Sequence, residues 1–415
     1  MQAGDKIVLT YSKDSSSASG SEIGYIGNIS ISILTRVQVG TETKDVARKI
    51  KKAYIGIGGV ARPCFGGGTP AYYGQIDALK SGVRLPSTAS VGDYALFAGG
   101  YSPYYYTEVT PDVTAYNSSL VRSYPSTITG VADASGASVG DYAIFHGGVC
   151  YDEDDSEYWN TYNYCYAYNN SLTQSSQFTG LYRFGAASGS IGNYALFAGG
   201  RDYDYNMTKT LFSYDASLTS TTLSATLKQN QCYMRSFHAG NYLLFTGGEN
   251  SDTICQAFDS SLTKYGGTIN ITTHTRSNMA ASVGQYGIVI TPASYSGTTS
   301  AIDIFDASLT RITGTVSATT NYDFIASMTL EDYAFFIPDK SPTSLAGPQN
   351  TNTLVFDSSL TQTQLLPPQN TSLWNHSTEN HLNNGITVGN FALIGGGVAS
   401  NGYGFKDTVE AYTII

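Results

Sequence analysis

Four stretches of this chain concentrate side chains able to recognise another molecule. Tyr101–Val109 (YSPYYYTEV) supplies Tyr101, Tyr104, Tyr105 and Tyr106. Val149–Cys165 (VCYDEDDSEYWNTYNYC) supplies Tyr151, Tyr158, Trp159 and Tyr162. Arg201–Lys209 (RDYDYNMTK) supplies Asp202, Tyr203, Asp204 and Tyr205, and Val398–Asp407 (VASNGYGFKD) supplies Tyr403. Rigid aromatic rings give contact area at low entropy cost, and Ser, Asn, Gly and Asp give adaptable hydrogen bonds. Aromatic faces beside carboxylates and amides also suit sugars, whose C–H faces stack and whose hydroxyls need acceptors. The competing use of the same tyrosines is to pack loop against loop, and both uses fit different members of the set.

Other chemistry is thinner. The acidic run Asp152–Glu157 offers Asp152, Asp154 and Asp155 to calcium, a hard cation that takes several carboxylate oxygens; the spacing departs from the EF-hand loop, and a solvated loop is the alternative. No other cofactor is expected. Cys150 and Cys165 bracket that run, as a disulfide or as two free thiols, while Cys64, Cys232 and Cys255 read as small buried apolar residues. Of the five histidines, His146 and His238 lie in or beside repeated cores, where a single histidine is usually structural. No HExxH, nucleophile elbow or P-loop is present, and GIGG (Gly56–Gly59) lacks the Lys-Ser/Thr ending of a phosphate loop. Loop carboxylates keep a glycan-cleaving pair open, but the expectation is a binding protein and not an enzyme.

The elements that position these stretches announce themselves by repetition. SVGDYALFAGG (Ser90–Gly100) returns as SVGDYAIFHGG (Ser138–Gly148), SIGNYALFAGG (Ser190–Gly200), HAGNYLLFTGG (His238–Gly248) and TVGNFALIGGG (Thr387–Gly397). Weaker copies are SVGQYGIVITP (Ser282–Pro292) and TLEDYAFFIPD (Thr329–Asp339). The aromatic residue falls at Tyr94, Tyr142, Tyr194, Tyr242, Tyr286, Tyr333 and Phe391, so seven units are expected at a spacing of roughly 50 residues. Small residues such as GAASGS (Gly185–Ser190) precede the core and suit an innermost strand near a crowded axis. YALFA is a continuous apolar run of strand length, expected to be buried on both faces. A second motif follows, from AYNSSL (Ala115–Leu120) to VFDSSLT (Val355–Thr361), which reads as a strand entering a side-chain-capped turn. Each unit is therefore expected to be a four-stranded antiparallel meander.

The seventh unit stops at VEAYTII (Val409–Ile415) without its turn and fourth strand. IDALKSGVRL (Ile76–Leu85) is expected to supply that strand from the other end, closing the ring and removing free sheet edges. The result is an all-β, seven-bladed propeller over residues 73–415, with a small N-terminal β module over 1–72. Only 13% of residues are charged and the net charge is −10, which argues against bulk attraction to nucleic acid. The head is different: nine basic and five acidic residues fall in 1–72, against 13 and 27 in the rest. A basic head on an acidic body suggests two surfaces with different partners. No secretory signal and no long apolar span are visible, so neither export nor membrane insertion is expected.

The repeats resemble the kelch propeller family. Arg183, Arg235 and Arg276 lie upstream of their cores, Gly-Gly ends the second strand, and Tyr-Asp opens the third-to-fourth turn. The family's usual tryptophan after that turn is absent, and units five and six lose the Gly-Gly near Pro292 and Pro338, where different turns are expected. The head is similar to a segment of tail proteins of phages and prophages of Firmicutes, carried by VARKIKKAYIGIGGVARPC (Val46–Cys64). That resemblance implies attachment of a distal domain to a tail, with Arg48, Lys49, Lys51, Lys52, Tyr54 and Arg62 as the candidate contacts. It implies a tail fibre or tail-tip component, made in the bacterial cytoplasm and located in the virion tail in several copies. Its partners would be other tail proteins and a host-surface receptor, a glycan before a protein. A structural tail protein using the propeller for subunit contacts, and a glycan-cleaving enzyme, are the alternatives.

Overall fold

The structure, a computed structural model, describes residues 6–11, 29–39, 42–49, 53–57, 60–65, 68–102, 108–151, 159–175, 178–250, 253–272, 278–291, 301–312, 324–338, 352–365, 385–397 and 405–415. In 6–65, and at 151, 159–160, 178–179, 324–325 and 338, the description is of the backbone alone. The chain forms two compact units, Met1–Thr69 and Pro70–Ile415. The first contains an antiparallel sheet in which Ile29–Val39 is the central strand between Lys6–Tyr11 and Glu42–Lys49. It also contains a hairpin of Ala53–Ile57 and Val60–Phe65.

The second unit is a seven-bladed β-propeller built of four-stranded antiparallel sheets. Blade one runs Ser87–Val91, Tyr94–Ala98, Val113–Asn117 and Arg122–Ser123, from the innermost strand outward. Blade two runs Ser135–Val139, Tyr142–His146, Tyr164–Asn169 and Phe178–Thr179. Blade three runs Ala187–Ile191, Tyr194–Ala198, Thr208–Asp215 and Ser220–Gln231. Blade four runs Met234–Ala239, Tyr242–Gly247, Ile254–Phe258 and Ile269–Asn270. Blade five runs Met279–Val283, Tyr286–Thr291, Ala301–Phe305 and Arg311–Ile312. Blade six runs Phe324–Leu330, Tyr333–Pro338, Thr353–Asp357 and Gln362–Leu365. Blade seven runs Ile386–Val388, Phe391–Gly395 and Val409–Ile414, and takes Pro70–Ile76 as its outer strand.

The apolar run of the second strand has a direct cause. Alternate residues of a strand point to opposite faces, and here both faces meet a neighbouring blade. Leu96 and Ala98 pack with Ala143, Phe145 and Tyr168 of blade two. Ala95 and Phe97 pack with Leu393, Val409 and Ala411 of blade seven. That second cluster joins the first and last blades into a closed ring. The doublets that end the second strand adopt left-handed angles, for example φ +65° and +111° at Gly99 and Gly100, where a Cβ on Gly99 would lie 2.4 Å from the Val131 carbonyl oxygen.

The closing strand arrives from the N-terminal side as expected, but it is Pro70–Ile76 and not Ile76–Leu85. Pro70–Ile76 pairs with Val409–Ile414 from Val409↔Ile76 to Ile414↔Pro70. Glu410, fully buried, accepts hydrogen bonds from Tyr72 Oη and from Gln75 Nε2 (3.0 Å), and the Tyr72 and Tyr412 rings meet edge to face. Residues 77–85 instead cross from this strand to the axis. There Leu79, Val83 and Leu85 are buried, and Leu79 N and Val83 N donate to the carbonyls of Asp407 and Lys406. The segment looks strand-like in sequence because its apolar residues must reach this core.

Candidate functional site

Antiparallel meanders place two kinds of loop on one face: those joining second to third strands, and the crossovers that enter each innermost strand. The entry is built by an unusual backbone. Leu85, Asp133, Gly185 and Tyr233 occupy equivalent positions and all have φ between +53° and +61°. Gly185 N donates to Asp133 O at 2.9 Å, and Tyr233 N to Gly185 O at 2.7 Å. These residues ring the mouth of a central cavity of about 350 Å³, lined by the innermost strands of all seven blades.

The cavity wall is mainly hydroxyl and backbone. Hydroxyls of one blade bond to the backbone of the blade before it: Ser138 Oγ to Ser90 O and Ser190 Oγ to Ser138 O at 2.6 Å, and Thr329 Oγ1 to Ser282 O at 2.8 Å. A second tier repeats the device, with Ser188 Oγ to Gly136 O, Ser236 Oγ to Ser188 O and Ser327 Oγ to Ala280 O at 2.5–2.7 Å. In blade four His238 stands in the serine position and its ring bonds to the Ser190 backbone; desolvation holds its pKa below the usual histidine range. Arg235 also lines the cavity, and desolvation lowers its guanidinium to about 10. The cavity is thus polar, with one guanidinium in its wall and Asp133 and Tyr233 at its mouth. Among the described residues no group of three or more His, Cys, Asp or Glu is placed to hold a metal.

Of the candidate tyrosines, Tyr101 is turned inward. It is 8% exposed, donates its hydroxyl to Asp133 Oδ2 (2.9 Å) and lies under the Arg84 guanidinium at 5.2 Å, so it packs the loop and does not present a surface. Tyr162 is half-buried, stacked on Tyr164 at 5.3 Å, and accepts a hydrogen bond from Cys150 Sγ. The bridge between Cys150 and Cys165 that the sequence leaves open is not formed: both are free thiols. Cys150 lies on a separate hairpin, Val149–Tyr151 with Trp159–Thr161, whereas Cys165 is fully buried in the third strand opposite His146. Tyr151 and Trp159 hold directly opposed register positions on that hairpin.

Asp202, Tyr203, Asp204 and Tyr205 form one tight turn. Asp202 Oδ1 accepts the amides of Asp204 (3.1 Å) and Asn206 (2.9 Å), and Tyr205 N returns to Asp202 O at 3.0 Å. Arg201 anchors the turn, donating to Tyr205 O at 2.8 Å and pairing with Glu249 of the blade-four loop at 2.6 Å. Tyr203 is 57% exposed and meets Tyr182, 45% exposed, with centroids 5.5 Å apart and planes at 72°. Sequence reasoning missed Tyr182 because it weighed only the loops after Gly-Gly; Tyr182 sits in the neighbouring crossover, one residue before Arg183.

Tyr104, Tyr105, Tyr106, Asp152, Asp154, Asp155, Tyr158, Tyr403, Lys51 and Lys52 lie outside the described residues. Arg48 and Lys49 fall in the strand Glu42–Lys49, Tyr54 in Ala53–Ile57, and Arg62 in Val60–Phe65, where Arg62 pairs with Ile55.

Fold and face together define a β-propeller with an aromatic loop surface and a polar axial cavity. No family model and no curated protein matches the chain. Among solved structures it is similar to the one titled "Structure of YjhT", at 10% identity and a TM-score of 0.49, over 70% of this chain and 99% of that one.

Proposed function

We propose that the chain is a receptor-binding component of a phage or prophage tail, with the kelch-like propeller as the binding domain. In this reading the first unit, Met1–Thr69, attaches to the tail, and the loop face binds a host-surface glycan without cleaving it. The observation that carries the binding role is the pair of solvent-facing tyrosines, Tyr182 and Tyr203, on a hydrogen-bonded turn. Large aromatics held rigid in water are contact area already organised for a ligand. The tail assignment draws on the wording of Val46–Cys64. Affinity for one copy would be modest, with avidity from several copies on a particle.

The test is adsorption of the full chain, presented multivalently, to whole host-type cells and to their purified wall glycans. Saturable binding that free glycan competes away is the expected result. A folded chain that binds neither surface overturns the reading. A second reading, a structural tail protein, draws on the outer edge of blade three. Its strand Ser220–Gln231 has 12 residues, where the described outer strands of blades one, two, four and five have 2 each. A long edge can pair with another chain.

A further inference from the structure

We propose that Tyr182 and Tyr203 form a subsite for an uncharged sugar ring, and that the carboxylates of the same turn select against anionic glycans. This rests on the reading of the loop face as glycan-binding and names the class of glycan.

Three observations lead to it. First, the two rings meet at 72° with half of each in water, so they make a corner and not a closed stack. A pyranose can lay its C–H face on one ring while its rim touches the other. Second, the corner is held from both sides. Tyr203 is carried by the Asp202 turn, which Arg201 ties to Glu249 of the next blade. Tyr182 is carried by a crossover in which Arg183 Nη1 donates to Tyr182 O at 2.7 Å and Phe184 bridges to Arg201. The Phe184 ring in turn contacts Tyr205 at 5.4 Å. Ordering a ligand there costs little rearrangement of the protein.

Third, the charge is lopsided. Among the described residues, the ionisable groups around the corner are Asp202, Asp204 and Glu249 against Arg183 and Arg201. Arg201 is engaged by Glu249 and the desolvated Arg183 interacts with Asp202, so Asp204 is the acid in excess. Asp202 and Asp204 flank Tyr203 directly, and Asp204 is exposed. A carboxylate or phosphate on the sugar would meet like charge at this point, whereas neutral hydroxyls and amides would find acceptors.

The experiment is ligand-observed NMR and calorimetry on the full chain with three probes: chitotetraose, isomaltotetraose and tetragalacturonate. At least one neutral probe is expected to bind, with Tyr203→Ala and Tyr182→Ala each weakening it by about tenfold and Tyr203→Phe preserving it. Tetragalacturonate is expected to bind at least about tenfold more weakly, and Asp204→Asn to narrow that gap. Both tyrosines are exposed, and unchanged thermal unfolding of the variants confirms that the fold is intact. The subsite is overturned if no neutral probe binds, if the alanine variants bind like the parent, or if tetragalacturonate binds as tightly. Cell adsorption separates the two levels. Adsorption without neutral-sugar binding defeats the subsite alone, and no adsorption at all defeats the receptor reading as well.

Discussion

His146 shows how one residue couples this fold to pH. Its Nε2 faces the Leu181 carbonyl at 2.9 Å, so that nitrogen carries the proton, and Nδ1 accepts from Tyr214 Oη at 3.0 Å. The ring is neutral and 1% exposed among Phe197, Phe212 and Tyr214. Desolvation lowers its pKa to about 4 from 6.5, although the Leu181 hydrogen bond opposes the shift. Between those values the unfolded chain binds the extra proton, so stability is fully present above 6.5 and is lost as the pH falls towards 4. The loss attributable to this residue is about 3 kcal/mol at pH 4. Blades one and three carry Ala98 and Ala198 at the matching position. His146→Ala should therefore flatten the slope of unfolding free energy between pH 7 and 4 in denaturant titrations, whatever its effect at pH 7. The cavity hydroxyls give a second residue-scale test. Ser138→Ala removes bonds to both Ser90 O and Ser90 N and should cost about 1–3 kcal/mol, read as a lower denaturation midpoint at unchanged m.

At the scale of the element, small residues at the axis have two different reasons. A Cβ on Gly136 would lie 2.1 Å from the Thr88 carbonyl oxygen, part of the neighbouring backbone. On Gly189 it would meet the far end of the Leu243 side chain at 2.7 Å. Gly136→Ala should therefore destabilise by about 3 kcal/mol, while Gly189→Ala should cost about 1 kcal/mol or less, because a leucine rotamer can give way and a carbonyl cannot. The sequence made the smallness legible but not the bonding. Serine at positions 90, 138 and 190 reads as bulk alone until its partner strand, some 50 residues away, is placed beside it. The six Asp/Asn–Ser–Leu turns were legible as capped turns. Their leucines were not legible as left-handed residues: Leu120, Leu172, Leu218, Leu262, Leu309 and Leu360 have φ from +58° to +64°. Two amide bonds to the preceding Asp or Asn, such as Ser308 N and Thr310 N to Asp306 Oδ1, hold that geometry. Each leucine also packs against an inter-blade cluster, as Leu309 does beside Phe305. Burial of this kind offsets a backbone cost of about 1–2 kcal/mol.

For the whole molecule, closure decides how the ring unfolds. Open repeat arrays can fray from their ends, but here blade seven packs on blade one and shares its sheet with Pro70–Ile76. The propeller should unfold in one cooperative transition. Removing Val409–Ile414 should abolish that transition in calorimetry, while Glu410→Ala should keep it and lower stability by about 1–3 kcal/mol. Periodicity made the blade number and the idea of closure readable, because every blade must bury the same apolar run. The closing strand was misplaced by several residues, since Ile76–Leu85 carries apolar residues for a core contact and not for a sheet. The exposed Tyr182–Tyr203 corner could be only half seen, because its members come from different connections of the same face.

The join between Tyr72 and Glu410 spans 338 positions of the chain. Synthesis at about 5–20 residues per second makes the first strand of that sheet wait roughly 17–70 s for its partner. During that interval six blades can form around a gap, with an unpaired edge at each side of it. The growing chain is therefore most exposed to mispairing with a neighbouring nascent copy just before Val409–Ile414 emerges, and slowing translation through the codons for blade seven should lower soluble yield more than slowing it through those for blade one.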